Sequence, residues 1–147
     1  MKYDKYTEVE VTFGFSIYDF NSIGPLGVIP KRVQISETSV PGIFNLAFGN
    51  LDGNGKIDDY AISNDKDRNK ILATIAGIVI NYLDKFPNRI ILFSGSTVER
   101  TRLYRMAISL NFTELSKTID IYAIVDGEPL HFNSNVNAEA FIIKRKT

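Results

Sequence analysis

Residues 70–84 constrain the fold most, because a helix over them is apolar around most of its circumference. Their polar or small residues recur in steps of four and three and trace one narrow stripe: Lys70, Thr74, Gly77, Asn81 and Asp84. Almost all other positions are aliphatic. Such a helix must be central, wedged between a sheet and a second neighbour. The pattern predicts a helix over residues 65–85, capped by Asn64 and stopped by Pro87.

The chain before this helix has strand patterns. Residues 8–20 and 28–36 are predicted to be extended, and residues 43–63 have the pattern of a hairpin. The dipeptide Asn54-Gly55 tolerates the positive φ angles of a two-residue type I′ turn. With that loop, Asp59 lies opposite Asn50 on the apolar face of the hairpin, where a carboxylate needs a partner.

After the central helix, strands and one further helix alternate. Residues 89–93, 119–125 and 138–146 are predicted strands, and residues 97–110 a second helix. Strands gathered at the start and then mixed with two helices are typical of an α+β fold. We therefore expect a single domain over residues 1–147: a largely antiparallel sheet of about five to seven strands with two helices packed on one face.

Composition argues against nucleic acid and membranes as partners and favours a cytoplasmic location. Seventeen basic residues balance 17 acidic ones, so no overall positive charge attracts nucleic acid, and we expect none as a partner. No apolar run approaches the length that spans a bilayer, and the first residues lack an apolar signal core. We expect a cytoplasmic protein without a membrane partner, and the oligomeric state stays open.

No metal or cofactor is expected. The chain has no cysteine and one histidine, His131, which is expected to be a packed or exposed strand residue. Residues 50–61 partly imitate a calcium loop, but Ala61 occupies the position of the bidentate glutamate, so the hairpin interpretation is preferred. No serine is paired with a base in a recognisable pattern.

Residues 93–104, FSGSTVERTRLY, are the clearest candidate for a binding site. A glycine turn after a strand exposes the free amides of the next helix to an anion, here at Gly95, Ser96 and Thr97. Arg100 and Arg102 could each hold a phosphate or carboxylate with two hydrogen bonds. Part of the stretch needs no ligand, because Ser96 and Glu99 have the spacing of a capping box.

Helical spacing separates the arginines. Arg100 falls near the apolar stripe and should be partly buried, which requires an acidic partner, and Asp59 is the natural candidate. Arg105 falls nearly opposite that stripe and should be solvated. A structural Arg100–Asp59 pair and a ligand site remain two alternatives. The candidate ligand-binding residues are Asp59, Gly95, Ser96, Thr97, Arg100 and Arg102.

Three segments carry a family resemblance: LDGNGKIDDYAISNDKDRNKILATIA, LFSGSTVERTRLYRMAI and AEAFIIKRK. Their shared features are a hairpin ending in Ile-Asp-Asp, a helix with Lys-x-Leu-Ala-Thr, and Gly-Ser-Thr-x-x-Arg-Thr-Arg-Leu-Tyr. With these the chain resembles a family of small bacterial proteins of unknown function. The resemblance implies one domain and a bacterial source, and it carries no activity.

Two functions from different classes remain. The first is a non-enzymatic binding or regulatory domain whose partner is a protein or a small anionic ligand, since no complete catalytic set can be assembled. The second is an enzyme acting on a phosphorylated or nucleotide-like substrate held at residues 95–102, with Asp58 or Asp59 as base or metal ligand. Nucleic-acid binding through Arg100, Arg102, Arg105 and the basic C-terminal residues is a third and weaker hypothesis.

Overall fold

The structure is a computed structural model that describes residues 3–25, 27–58, 67–94, 97–133 and 135–147. Within these ranges the chain forms nine strands and three helices. They are β1 (Glu10–Thr12), β2 (Ile17–Gly24), β3 (Gly27–Glu37), β4 (Ile43–Leu51), β5 (Ile57–Asp58), α1 (Arg68–Lys85), β6 (Ile90–Phe93), α2 (Val98–Leu110), α3 (Phe112–Leu115), β7 (Ile119–Val125), β8 (Glu128–His131) and β9 (Ala140–Arg145).

All nine strands belong to one sheet. Its order is β1-β2-β3-β4-β6-β9-β7-β8, with β5 paired to β4 beside this path. The expected α+β class with a largely antiparallel sheet is confirmed, but the sheet is wider than five to seven strands. Residues 8–20 contain a turn that separates β1 from β2, and the Asp126-Gly127 turn leads into β8, which the sequence patterns did not reveal.

One parallel pairing sets the position of both helices. β4 and β6 are parallel, whereas β6 and β7 are each antiparallel to β9 and therefore parallel to one another. A chain that leaves one strand and enters a parallel one must cross back over the sheet, and α1 and α2 lie on these two crossovers. Both helices consequently begin at the end of the sheet where β4 and β6 end.

Helix α1 is the centre of the core, as its apolar circumference predicted. Residues 71–79 are all buried. The polar stripe is covered by the N-terminal segment, because the amide of Tyr6 donates a hydrogen bond of 2.8 Å to Oγ1 of Thr74. The Thr74 hydroxyl in turn donates to the carbonyl of Lys70 at 2.7 Å. The predicted cap of this helix, Asn64, lies outside the described residues.

The hairpin of β4 and β5 has a different register from the predicted one. Asn50 pairs with Asp58, so the predicted opposition of Asn50 and Asp59 is wrong by one residue. The cause is Asp52, whose Oδ1 accepts hydrogen bonds of 2.8 Å from the amides of Asn54 and Lys56 and so holds a three-residue loop. A one-residue slip exchanges the faces of a strand, so Asp58 shares the face of Asn50, although the Asp58 side chain remains exposed.

Gly49 allows β5 to lie close against β4. A Cβ at this position would be 2.7 Å from both the carbonyl oxygen of Asp58 and Cγ2 of Ile57. Since β4 pairs with β6 through its first residues and with β5 through its last ones, its edge divides near Gly49. No helix in the described part of the chain is both long and apolar enough to cross a membrane.

Candidate functional site

Polar side chains collect at the end of the sheet where α1 and α2 begin. Crossovers between parallel strands place helix N-termini beside the carboxyl ends of the strands, the usual position of ligands in open sheets with such crossovers. Here those strands end at Leu51 and Phe93, and the helices begin at Arg68 and Val98. The predicted site residues that the structure describes lie at the start of α2.

Helix α2 is capped by Thr97, one residue later than the predicted Ser96 box. Thr97 has an extended backbone, and its Oγ1 accepts a hydrogen bond of 3.2 Å from the amide of Arg100. The hydroxyl of Thr101 donates to the carbonyl of Thr97 at 3.2 Å. Threonine and serine are both good caps, so sequence alone could not choose between neighbouring positions. Asp59, Gly95 and Ser96 lie outside the described residues.

A pocket of about 530 Å³ opens between the first turns of α2 and the segment before β9. Its polar lining comprises Thr97, Thr101, Arg102, Arg105, Asn137 and Glu139. Arg102 is exposed, and no hydrogen bond or ion pair joins its guanidinium to another residue of the described ranges. The pocket therefore combines two cationic groups with two hydroxyls, one amide and one carboxylate.

Arg105 is not solvated as its helical position had suggested. It is half-buried, and its Nη1 donates a hydrogen bond of 3.2 Å to the carbonyl of Val136. The reason is tertiary, because the segment that leads into β9 passes over the outer flank of α2. This contact holds the Arg105 guanidinium at the wall of the pocket.

Arg100 lies on the inner face of α2, one turn before Tyr104, and is only 9% exposed. Arg100 is thus buried more completely than the partial burial expected from its helical position. Within the described part of the chain, its Nε and Nη2 are buried and have no hydrogen-bond partner. An unsatisfied buried donor costs about 1–3 kcal/mol, and more when it is charged. This is the strongest unexplained polar feature of the site.

A second polar cluster joins the N-terminal segment to the start of α1. Oδ2 of Asp67 accepts hydrogen bonds from the hydroxyls of Tyr6 and, at 2.8 Å, Ser22. The Tyr6 hydroxyl also accepts from the amide of Ile23 at 3.0 Å. Burial raises the pKa of Tyr6, and the hydrogen bond to Asp67 raises that pKa further. Sequence reasoning missed this cluster because its members come from three distant segments.

Lys31 is a buried cation at the same end of the sheet. It is 2% exposed, and its Nζ donates a hydrogen bond of 2.5 Å to Oδ1 of Asn50. The alternation of β3 places Lys31 on the same inner face as Val33 and Ile35. The alternation of Val33 and Ile35 was visible in the sequence, and continuing it two residues towards the start of β3 predicts that Lys31 faces inward.

A sequence model of the family of unknown function DUF6934 matches residues 2–146. The chain belongs to DUF6934. The expected resemblance to a family of unknown function is thereby confirmed. Neither the curated proteins nor the solved structures gave a match. Membership in DUF6934 covers every group of the site and assigns none of them a role.

The remaining titratable groups of this DUF6934 chain are dispersed. In the part of the chain that the structure describes, no three His, Asp or Glu side chains converge as a metal site would require. His131 lies on the exposed strand β8, with its ring 5.1 Å from that of Tyr122, so its expected place as a strand residue is confirmed. The start of α2 is therefore the best-supported site.

Proposed function

We propose that this DUF6934 chain is a binding domain for a small anionic ligand that occupies the pocket at the start of α2. One observation carries the proposal: Arg102 and Arg105 both line a single pocket of about 530 Å³. Small-molecule sites typically enclose roughly 300–1,000 Å³ and place a few polar groups around the ligand. The volume suits a nucleotide or a phosphorylated metabolite.

The lining supports a ligand with two chemical ends. Guanidinium groups bind carboxylate and phosphate oxygens with paired hydrogen bonds. The hydrogen bond from Arg105 to the carbonyl of Val136 already restricts the Arg105 side chain, so less side-chain entropy is lost when a ligand binds. Glu139 lies in the same lining and accepts hydrogen bonds. An anion that also carries a hydroxyl or amine therefore complements the pocket better than a bare anion does.

Glu139 is the residue of the pocket that supports the alternative function, an enzyme. A carboxylate in the lining of an anion pocket can act as a general base or bind a metal ion. An enzyme acting on a phosphorylated or nucleotide-like substrate would turn over its bound ligand and lose turnover in a Glu139→Gln variant. A binding domain would release the ligand unchanged, and this is the outcome we expect.

A thermal-shift screen with inorganic phosphate, AMP and ATP tests the binding proposal. We expect at least one nucleotide to raise the Tm of the wild type, and Arg102→Ala to remove that rise. Lys146→Ala is the matched control, since it deletes an exposed cation beyond the last residue of β9. The proposal fails if none of the three raises the Tm, or if Arg102→Ala responds as the control does.

A further inference from the structure

The pair formed by Arg32 and Asp19 shows how a carboxylate binds one side of a guanidinium group in this chain. Nε of Arg32 lies 2.8 Å from one carboxylate oxygen of Asp19, and Nη2 lies 2.9 Å from the other. These two nitrogens form one side of the planar guanidinium, and their spacing matches two oxygens of a carboxylate or phosphate. Both side chains are partly exposed, so water can also solvate each of them when the ion pair is broken.

Arg100 has the same two nitrogens, Nε and Nη2, but here they are buried and have no hydrogen-bond partner in the described part of the chain. The residue is only 9% exposed. A guanidinium stays charged at any physiological pH, so it cannot relieve burial by losing a proton. A buried charge of this kind requires an anion opposite it.

The position of Arg100 favours an anion and separates it from the pocket. It is the third residue of α2, a 13-residue helix whose N-terminus carries partial positive charge. Arg100 and Arg102 are about 200° apart around the helix at about 100° per residue. Arg100 is directed to the inner face with Tyr104, whereas Arg102 lines the pocket on another flank.

We propose that the Nε–Nη2 edge of Arg100 is a second, buried binding site for an oxyanion group, a phosphate or a carboxylate of a bound molecule. This site goes beyond the proposed function, because it lies outside the pocket of Arg102. The burial of Arg100 and its two unpaired donors carry the proposal, and the helix N-terminus adds to the attraction. The bound group completes two charge-assisted hydrogen bonds that the described part of the chain leaves unmade.

The chain's own Asp59 is the other possible source of this chemistry. Its assignment as the partner of Arg100 depended on a hairpin register in which Asp59 lies opposite Asn50. The observed register places Asp58 there instead. With that geometric reason gone, we commit to an external oxyanion, and the experiment separates the two sources.

The test uses the full-length chain with Arg102→Ala as background, so that the pocket does not contribute, and inorganic phosphate as the probe. The Nε–H resonance of Arg100 is observed by ¹H–¹⁵N NMR and assigned by its absence in Arg100→Met. Phosphate should shift this resonance saturably and raise the Tm by several degrees, and Arg100→Met should show neither response. Arg100→Lys keeps the charge but lacks the paired edge, so its affinity should fall at least about tenfold.

Stability without phosphate distinguishes the alternatives. If the edge awaits an external anion, Arg100→Met should unfold at the same or a higher temperature than its background, because it removes a buried unpaired charge. If Asp59 is the partner, Arg100→Met and Asp59→Asn should each lower the Tm, and the double variant should lose no more than one of them. That result, or an Arg100 resonance that phosphate leaves unmoved, overturns the proposal. A Tm rise that persists in Arg100→Met identifies an adventitious ion only and also overturns it.

Discussion

The hydroxyl of Tyr6 donates a hydrogen bond to the carboxylate of Asp67, 61 positions later in the chain. Asp67 directly precedes α1, so this bond fastens the N-terminal segment to the beginning of the central helix. Tyr6 also stacks on Phe20, with ring centroids 5.6 Å apart. One side chain thus links a segment without regular structure, a strand and a helix.

Removing only the hydroxyl should weaken this link. Tyr6→Phe keeps the ring contact but leaves the Asp67 carboxylate and the Ile23 amide without the hydroxyl they share. We expect the free energy of unfolding to fall by about 1–2 kcal/mol in urea denaturation. Tyr122→Phe is the control, because the hydroxyl of Tyr122 has no partner within the described ranges. Equal effects of the two substitutions would contradict the assigned role of Tyr6.

The pair of Arg32 and Asp19 should contribute more than the other long-range ion pair. Asp19→Asn loses a carboxylate held at both oxygens, and we expect a loss of about 1–2 kcal/mol in the free energy of unfolding. Asp84→Asn removes a more exposed pair with one bond to Arg145, and should cost less than about 1 kcal/mol. Urea denaturation of both variants measures the two losses in free energy of unfolding. A larger loss for Asp84→Asn than for Asp19→Asn would contradict the prediction.

Gly49 should tolerate no side chain. Gly49→Ala places a methyl group 2.7 Å from the backbone of Asp58, and backbone cannot move aside as a flexible side chain can. We expect a destabilisation of about 1–3 kcal/mol and faster hydrogen exchange at the amides of β5. Gly53→Ala serves as the matched control, because a Cβ there meets nothing within 4 Å. Unchanged exchange in Gly49→Ala would disprove the close packing of β5.

Alkaline pH should unfold the chain partly through Tyr18. Burial raises the pKa of Tyr18 to about 12 from its ordinary value of 10.0. Above pH 10 the unfolded chain loses this proton while the folded chain keeps it, so stability is full below pH 10 and falls as the pH rises towards 12. Between pH 9 and 11 the loss from this residue should be about 1.4 kcal/mol.

The contribution of Tyr18 is isolated by comparing the pH dependence of two variants. Tyr18→Phe should show a smaller loss of unfolding free energy between pH 9 and 11 than the wild type, whatever its stability at neutral pH. Tyr122→Phe is the matched control, because it removes the hydroxyl of a half-exposed tyrosine on β7. Identical slopes in all three proteins would show that Tyr18 does not carry the effect.

Features that depend on short stretches of sequence were predictable. The apolar circumference of α1 and the strand β7 over residues 119–125 both follow from spacing within one element. The partial burial of Arg100 follows from the same periodicity. The α+β class could be predicted because it depends only on the order of these elements.

Features that depend on contacts between segments were not predictable. The segment before β9 decides the environment of Arg105. The bond between Tyr6 and Asp67 likewise needs the folded chain. The hairpin register depends on hydrogen bonds within one loop, from the amides of Asn54 and Lys56 to Asp52, which the strand pattern does not encode.

The sequence by itself therefore determined most of the helices and strands and the apolar circumference of α1, because these properties repeat locally along the chain. Only the tertiary structure decided that Arg102 and Arg105 share a pocket, while two donors of Arg100 are buried without a partner in the described part of the chain. The physical reason is that burial and hydrogen-bond partners come from neighbours in space, and the parallel pairing of β4 with β6 brings those neighbours together.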